Sequence, residues 1–234
     1  MTPPVGLTSI AVRSEPEFMF IDKPLSPATP LGVRAAKQSR SQLKHLALLE
    51  AGRRLLDTQD LGTLSVAQLT RDAGMAVGSF YSRFEDKDAW FAELLRVTGE
   101  AVLADTQRLL GSARWARAAV PRKVALIVRH VVDIHRTHRG IFRAAHFDSA
   151  RSTLYWPQLH AYGRRVADAV YRALATHMLQ VAPAQRRERV SIALQLVFGM
   201  LVNAVLHDPG PISLNDPRME KELTRVFLST VRLD

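Results

Sequence analysis

Apolar positions recur every three or four residues along most of this chain, and that period points to helices. Leu43, Leu46, Ala47, Leu49 and Ala51 begin a stripe that ends near Leu56, where "DTQDLG" interrupts it. "SVAQLTRDAG" predicts a short helix, with Ser65 and Gln68 in capping-box positions and Gly74 closing it. About two turns of helix follow before "EDKD" stops them. Asp86 is placed to cap a longer helix from about Lys87 to Leu110. Five more helices are expected, over about 117–138, 140–148, 155–180, 183–207 and 216–232. Pro121 and Pro183 suit first-turn positions, and Pro157 either a first turn or a kink. "HDPGPISLNDP" reads as the clearest loop of the second half. No strand pattern competes and no internal repeat is visible. The expected class is all-α.

Composition agrees. Hydrophobic residues make up 47 % of the 234, aromatic residues only 7 %, and Ala, Leu, Arg and Val dominate. That mixture favours helices over sheets. There is no cysteine, so disulfides, thiolate metal sites and cysteine nucleophiles are ruled out. Residues 1–38, rich in Pro, Ser and Thr, read as a flexible tail with no signal-peptide pattern, so a soluble cytoplasmic protein is expected. The remainder divides at 39–86 and 87–234. The net charge of +10 suggests an anionic partner, yet residues 40–88 carry seven cations and seven anions. Individual cations, not bulk charge, must identify a nucleic-acid domain.

Residues 73–90, "AGMAVGSFYSRFEDKDAW", set two glycines close to an aromatic pair. Two short helices joined by the "AGM" turn and braced by a preceding helix make a DNA-reading unit. Gly78 would let the second helix come close to phosphate or base edges. Ser79, Ser82 and Tyr81 offer hydroxyls, while Phe80 and Phe84, four apart, point inward. Lys87, in the first turn of the next helix, is expected to meet a phosphate beside that turn's free N–H groups. A helical corner without DNA fits the spacing equally well.

Residues 48–91 resemble the N-terminal domain of the TetR family of bacterial transcriptional regulators. The resemblance is carried by Leu48-Leu49, Ala51, Leu55-Leu56, Ser65-Val66, Leu69-Thr70, Ala73-Gly74-Met75, Gly78-Ser79-Phe80-Tyr81, Phe84 and Asp86-Lys87-Asp88. It implies a helix-turn-helix domain followed by a helical domain that binds a small effector and dimerises. It also implies duplex DNA as partner, contacted by Arg40, Ser65, Val77, Gly78, Ser79, Tyr81, Ser82, Arg83 and Lys87. Three residues depart from the family pattern. Asp60 replaces a usual Gly. Ala76 replaces a capping Ser or Thr, and Val77 a polar residue, which suits a thymine methyl rather than a hydrogen bond.

"VSIALQLVFGMLVNAVL", residues 190–206, is apolar almost all round, so it must be covered on several sides. Ser191, Gln195, Gly199 and Asn203 recur every fourth residue as one small-or-polar stripe. The run is short for a membrane span and carries Gln and Asn. Met219, Leu223, Val226, Phe227 and Thr230 form a second stripe, consistent with packing inside the subunit; the resemblance implies that the last two helices dimerise. Phe142, His146, Trp156 and His160, with Phe198 and Asn203, are candidate effector contacts, suited to an apolar or aromatic molecule.

Two other classes compete. One is a metal-dependent helical enzyme using His130, His135 and His138, although no HExxH or repeated Glu-x-x-His pattern is present. The other is a basic scaffold for RNA or acidic protein through Arg114, Arg117, Arg122, Lys123 and Arg129. No phosphate loop, dinucleotide fingerprint or GxSxG elbow appears, and neither cofactor nor metal is expected.

Overall fold

A computed structural model describes residues 33–147, 152–208 and 210–233. The described residues form α-helices and connecting turns. In chain order the helices are α1 (Val33–Leu56), α2 (Val66–Asp72), α3 (Val77–Tyr81), α4 (Lys87–Leu110), α5 (Ala113–Arg117), α6 (Val120–Thr137), α7 (Arg139–Phe147), α8 (Ser152–Leu174), α9 (Pro183–Leu206) and α10 (Arg218–Val231). A 3-10 turn, Ala175–His177, follows α8.

Local chemistry sets most of the boundaries. The Ser65 hydroxyl accepts from the Gln68 backbone N–H while the Gln68 side chain accepts from that of Ser65, a complete capping box. Gly74, just past α2, has φ +67°, a conformation side chains rarely adopt. Asp86 accepts from the Ala89 N–H at 2.7 Å and starts α4 at Lys87. Ala76, by contrast, gives α3 no side-chain cap, and α3 spans only five residues.

Two expectations are corrected. Helix α1 begins at Val33 rather than near Arg40, so the expected tail is shortened at its downstream end; residues 1–32 lie outside the described residues. α5 was not anticipated; Ser112 caps it by accepting from the Trp115 N–H at 3.1 Å. Of the two positions open to Pro157, the structure has the one inside a helix, in α8.

The core has two centres. The first gathers Leu48, Leu56, Leu69, Phe80, Trp90, Phe91 and Leu94, and takes in Ile141, Ala145 and Tyr155 from α7 and α8. The second joins Leu103 of α4 to Val124, Ile127, Val131, Val170, Val197, Leu201 and Phe227. Helix α4 therefore serves both. At about 1.5 Å per residue its 24 residues span about 36 Å.

Helix α9 is long and apolar enough to cross a membrane by length and composition. Here seven of its residues, from Val190 to Val205, are buried, and it packs on α6, α7, α8 and α10. The stripe on α10 faces the same core: Met219, Leu223 and Phe227 are buried, while Lys221, Arg225 and Ser229 are exposed.

Candidate nucleic-acid interface

Helix α3 is anchored by one face. Phe80 is fully buried, its ring 5.3 Å from that of Phe84, and Phe84 stacks on His45 of α1 at 5.4 Å. The opposite face is open: Val77 is 44 % and Tyr81 57 % exposed. A Cβ added at Gly78 would meet nothing within 4 Å. The protein's own packing therefore does not demand a glycine there, whereas close approach by an outside surface would. Val77, Gly78 and Tyr81 are exposed and Ser79 partly so, which leaves an apolar and hydroxyl-bearing ridge for base edges.

The cations around this ridge are largely engaged within the domain. The Lys87 ammonium donates to the carbonyls of Leu61 at 2.6 Å, Gly62 at 3.2 Å and Leu64 at 2.8 Å. Three protons meet three acceptors, so Lys87 ties the turn before α2 to the start of α4. The expected phosphate contact by Lys87 is thus corrected. Arg83 donates to the Ser79 carbonyl at 2.8 Å and to the Ser82 hydroxyl at 2.9 Å, and Ser82 itself donates to Ser79 O at 3.0 Å. These bonds engage the Arg83 guanidinium at the end of α3, while Ser82 stays exposed beside Tyr81. Ser65 is exposed and held by its capping box. The Arg40 side chain lies outside the described residues. Lys87→Ala is expected to cost about 2 kcal/mol in stability, since hydrogen bonds from a charged group are lost and carbonyls left bare. It should leave the salt slope of DNA binding unchanged. A slope lower by one phosphate without loss of stability would restore the phosphate role.

Two family models match the chain. Residues 48–94 match the model for bacterial regulatory proteins of the tetR family, and residues 121–229 the tetracyclin repressor-like C-terminal domain. The chain belongs to the TetR family. It is a transcriptional regulator with a DNA-binding helix-turn-helix domain, and not an enzyme. Among solved structures it is similar to a TetR-family regulator from Mesorhizobium loti (15 % identity, TM-score 0.62, covering 82 % of this chain and 95 % of that one). A second similar structure is a tetR-family regulator from Streptomyces coelicolor (14 %, 0.61, 87 % and 82 %). A third is a transcriptional regulator from Rhodococcus (18 %, 0.58, 82 % and 96 %). At these identities the likeness is one of fold. A search of curated protein sequences found no significant match.

In the C-terminal domain of this TetR-family chain the expected effector residues do not line one cavity. Phe142 stacks on His135 at 4.5 Å, with Phe198 6.0 Å from the same imidazole. His146 instead meets Trp156 at 5.1 Å, and Trp156 meets His160 at 4.2 Å. The first group is internal; in the second, Trp156 is 42 % exposed. Helix α7 packs on both α9 and α8, so successive turns meet different neighbours. Asn203 joins neither group, being exposed on α9 with Ser191, Gln195 and Gly199. An open depression among Leu55, Gln68, Arg71 and Asp72 lies on α1 and α2, apart from both ring groups.

The histidines do not converge either. His130 is 3.0 Å from the Thr106 hydroxyl, and His135 Nδ1 donates to the Val131 carbonyl at 2.8 Å. Among the described residues no three His, Cys, Asp or Glu side chains form a group able to hold a metal. Of the basic run, Lys123 is buried beside His177 at 3.2 Å and over the Trp115 ring, leaving Arg114, Arg117, Arg122 and Arg129 exposed.

Burial holds His135 and His138 at about 4, well below the ordinary imidazole range. Between about pH 6.5 and about pH 4 the unfolded chain binds protons that the folded one refuses, so stability falls as the pH falls through that window. His130 and His146, also lowered by burial, act in the same direction. The expected loss from about pH 6.5 to about pH 5 is on the order of 3 kcal/mol for His135 and His138 together. Urea denaturation followed across that range measures it, and a flat profile would show that neither ring is buried uncharged.

Proposed function

We propose that this chain is a cytoplasmic, homodimeric repressor that binds a palindromic operator and is released by a small apolar or aromatic effector. The observation that carries the DNA reading is the open face of α3, where Val77, Gly78 and Tyr81 stand clear of the domain that anchors Phe80. Val77 favours sites that offer a thymine methyl.

Dimerisation is supported by α9. Ile192 and Leu196 are 43 % and 48 % exposed, and Gly199 has open space where its Cβ would be. An apolar ridge beside a bare glycine suits a second helix approaching closely. Since α10 turns its apolar stripe inward, α9 supplies more of that surface. The effector reading rests on Phe142, His135 and Phe198, a stack whose imidazole offers a polar handle amid rings.

Selection of duplexes from random DNA by the purified protein is the deciding experiment. Enrichment of one inverted repeat, with half-sites about 34 Å or a multiple apart, is the expected result. Equal retention of RNA and random DNA would instead favour the basic-scaffold reading.

A further inference from the structure

We propose that Lys123, Trp115 and His177 form a second small-molecule site in this regulator, one that takes an organic monocarboxylate by its acid group. The site stands apart from the ring stack of the effector reading and does not depend on it. Lys123 lies twelve residues upstream of His135 on α6, about 18 Å away along the helix.

The observation behind it is a buried cation without a countercharge. Lysine is almost never fully buried unless it is paired. Lys123 is only 9 % exposed, and among the described residues no other lysine or arginine is buried. Its ammonium lies 3.2 Å from His177 Nε2 and 5.6 Å from the centre of the Trp115 ring. An imidazole nitrogen that accepts from an ammonium is unprotonated, so His177 contributes a lone pair and no negative charge. The indole contributes only the attraction of its π-face. No described carboxylate pairs with Lys123, whereas the more exposed Arg54, Arg136 and Arg187 each face one.

The sequence explains the imbalance. Residues 107–132 carry the end of α4, all of α5 and most of α6 without one Asp or Glu. Residues 169–187, from the end of α8 to the start of α9, contain none either. Lys123 joins the two stretches through His177. Arg186 fastens the second by donating to Ala175 O at 3.1 Å and Val181 O at 2.9 Å. The fold thus closes two acid-free segments around one ammonium. Burying an unpaired charge is costly, and a well-placed opposite charge offsets that cost. A ligand anion supplies it.

The surroundings set the ligand class. One ammonium balances one negative charge, which a monocarboxylate carries. The Trp115 indole N–H donates to no described residue, so the same ring offers a second donor. Its face suits a flat or aliphatic body. His177 is half-buried and Leu179 is 77 % exposed, which puts the site at the rim of the domain. The acid takes the imidazole's place as acceptor, and the imidazole turns outward.

The test is thermal denaturation of the full-length protein with acetate, hexanoate or benzoate, each beside its neutral amide, at constant ionic strength. At least one acid should raise Tm saturably, by about 5 °C or more at about 100 times its Kd, while its amide does not. K123M and K123Q, which remove the charge, should each fold and lose that response. R122Q, at an exposed neighbouring position, should keep it. Equal shifts by an acid and its amide, a response that survives both Lys123 variants, or silence of all three acids would overturn the inference. Loss of the response in R122Q as well would assign it to surface charge and overturn it too, and a response to inorganic phosphate alone would overturn the carboxylate assignment. Failure of the protein to select a duplex would sink the DNA-binding reading and leave this site standing.

Discussion

Gly52→Ala is expected to destabilise the N-terminal domain by about 2–4 kcal/mol, although alanine is the better helix former by about 1 kcal/mol. Position 52 lies within α1, where propensity alone would make alanine an improvement. An added Cβ would stand 1.9 Å from Trp90 Cζ2 and 2.4 Å from Cη2. Trp90 has nowhere to retreat: it is fully buried and its indole N–H donates to the Leu48 carbonyl at 3.3 Å. The glycine is the slot into which α4 locks its first aromatic anchor against α1. Thermal denaturation would show the loss, and DNA binding should fall with it. A variant as stable as the wild type would show that α1 and α4 can move apart at no cost.

Ile192→Asp combined with Leu196→Asp should yield a folded monomer and weaken operator binding at least about 100-fold. Both side chains are about half exposed in the subunit, so charging them leaves its core untouched. In an apposed pair they would bring like charges together in a desolvated interface. Two half-sites bound by one dimer gain about two to four orders of magnitude through effective concentration, and that gain is lost on dissociation. Sedimentation with a binding titration separates the steps. A double variant that stays dimeric would remove this stripe of α9 from the interface.

Interactions close in sequence were legible. The capping box at Ser65 and Gln68, the cap at Asp86 and the start of α4 all depend on residues within one turn of each other. The inward pointing of Phe80 and Phe84 followed from their spacing of four. Partners more than twenty residues away were not legible. Nothing in "EDKD" indicates that the Lys87 ammonium turns back to Leu61 and Leu64, because the Lys side chain reaches a phosphate or a carbonyl equally well. Nearness in the chain groups the ring-bearing residues together, but α7 meets different helices at successive turns, which helical spacing does not encode. The early start of α1 escaped because residues 33–40 carry no apolar period; their content of Ala, Lys, Gln and Arg, all good helix formers, was the available signal.

The seat of α7 on α1 bears on how such regulators can be recombined. A Cβ at Gly140 would lie 2.3 Å from the Leu56 carbonyl oxygen, and Arg143 closes the same helix end with two hydrogen bonds. Exchanging headpieces between relatives to rewire which promoter answers which signal treats the first hundred residues as a cassette. Here the cassette's first helix is finished by residues 139–147, so a graft ending after α4 would carry an unfinished helix into a foreign body. A working hybrid of this chain has to bring Gly140 and Arg143 along, or borrow a recipient whose corresponding helix already offers a bare backbone and a guanidinium at those two places.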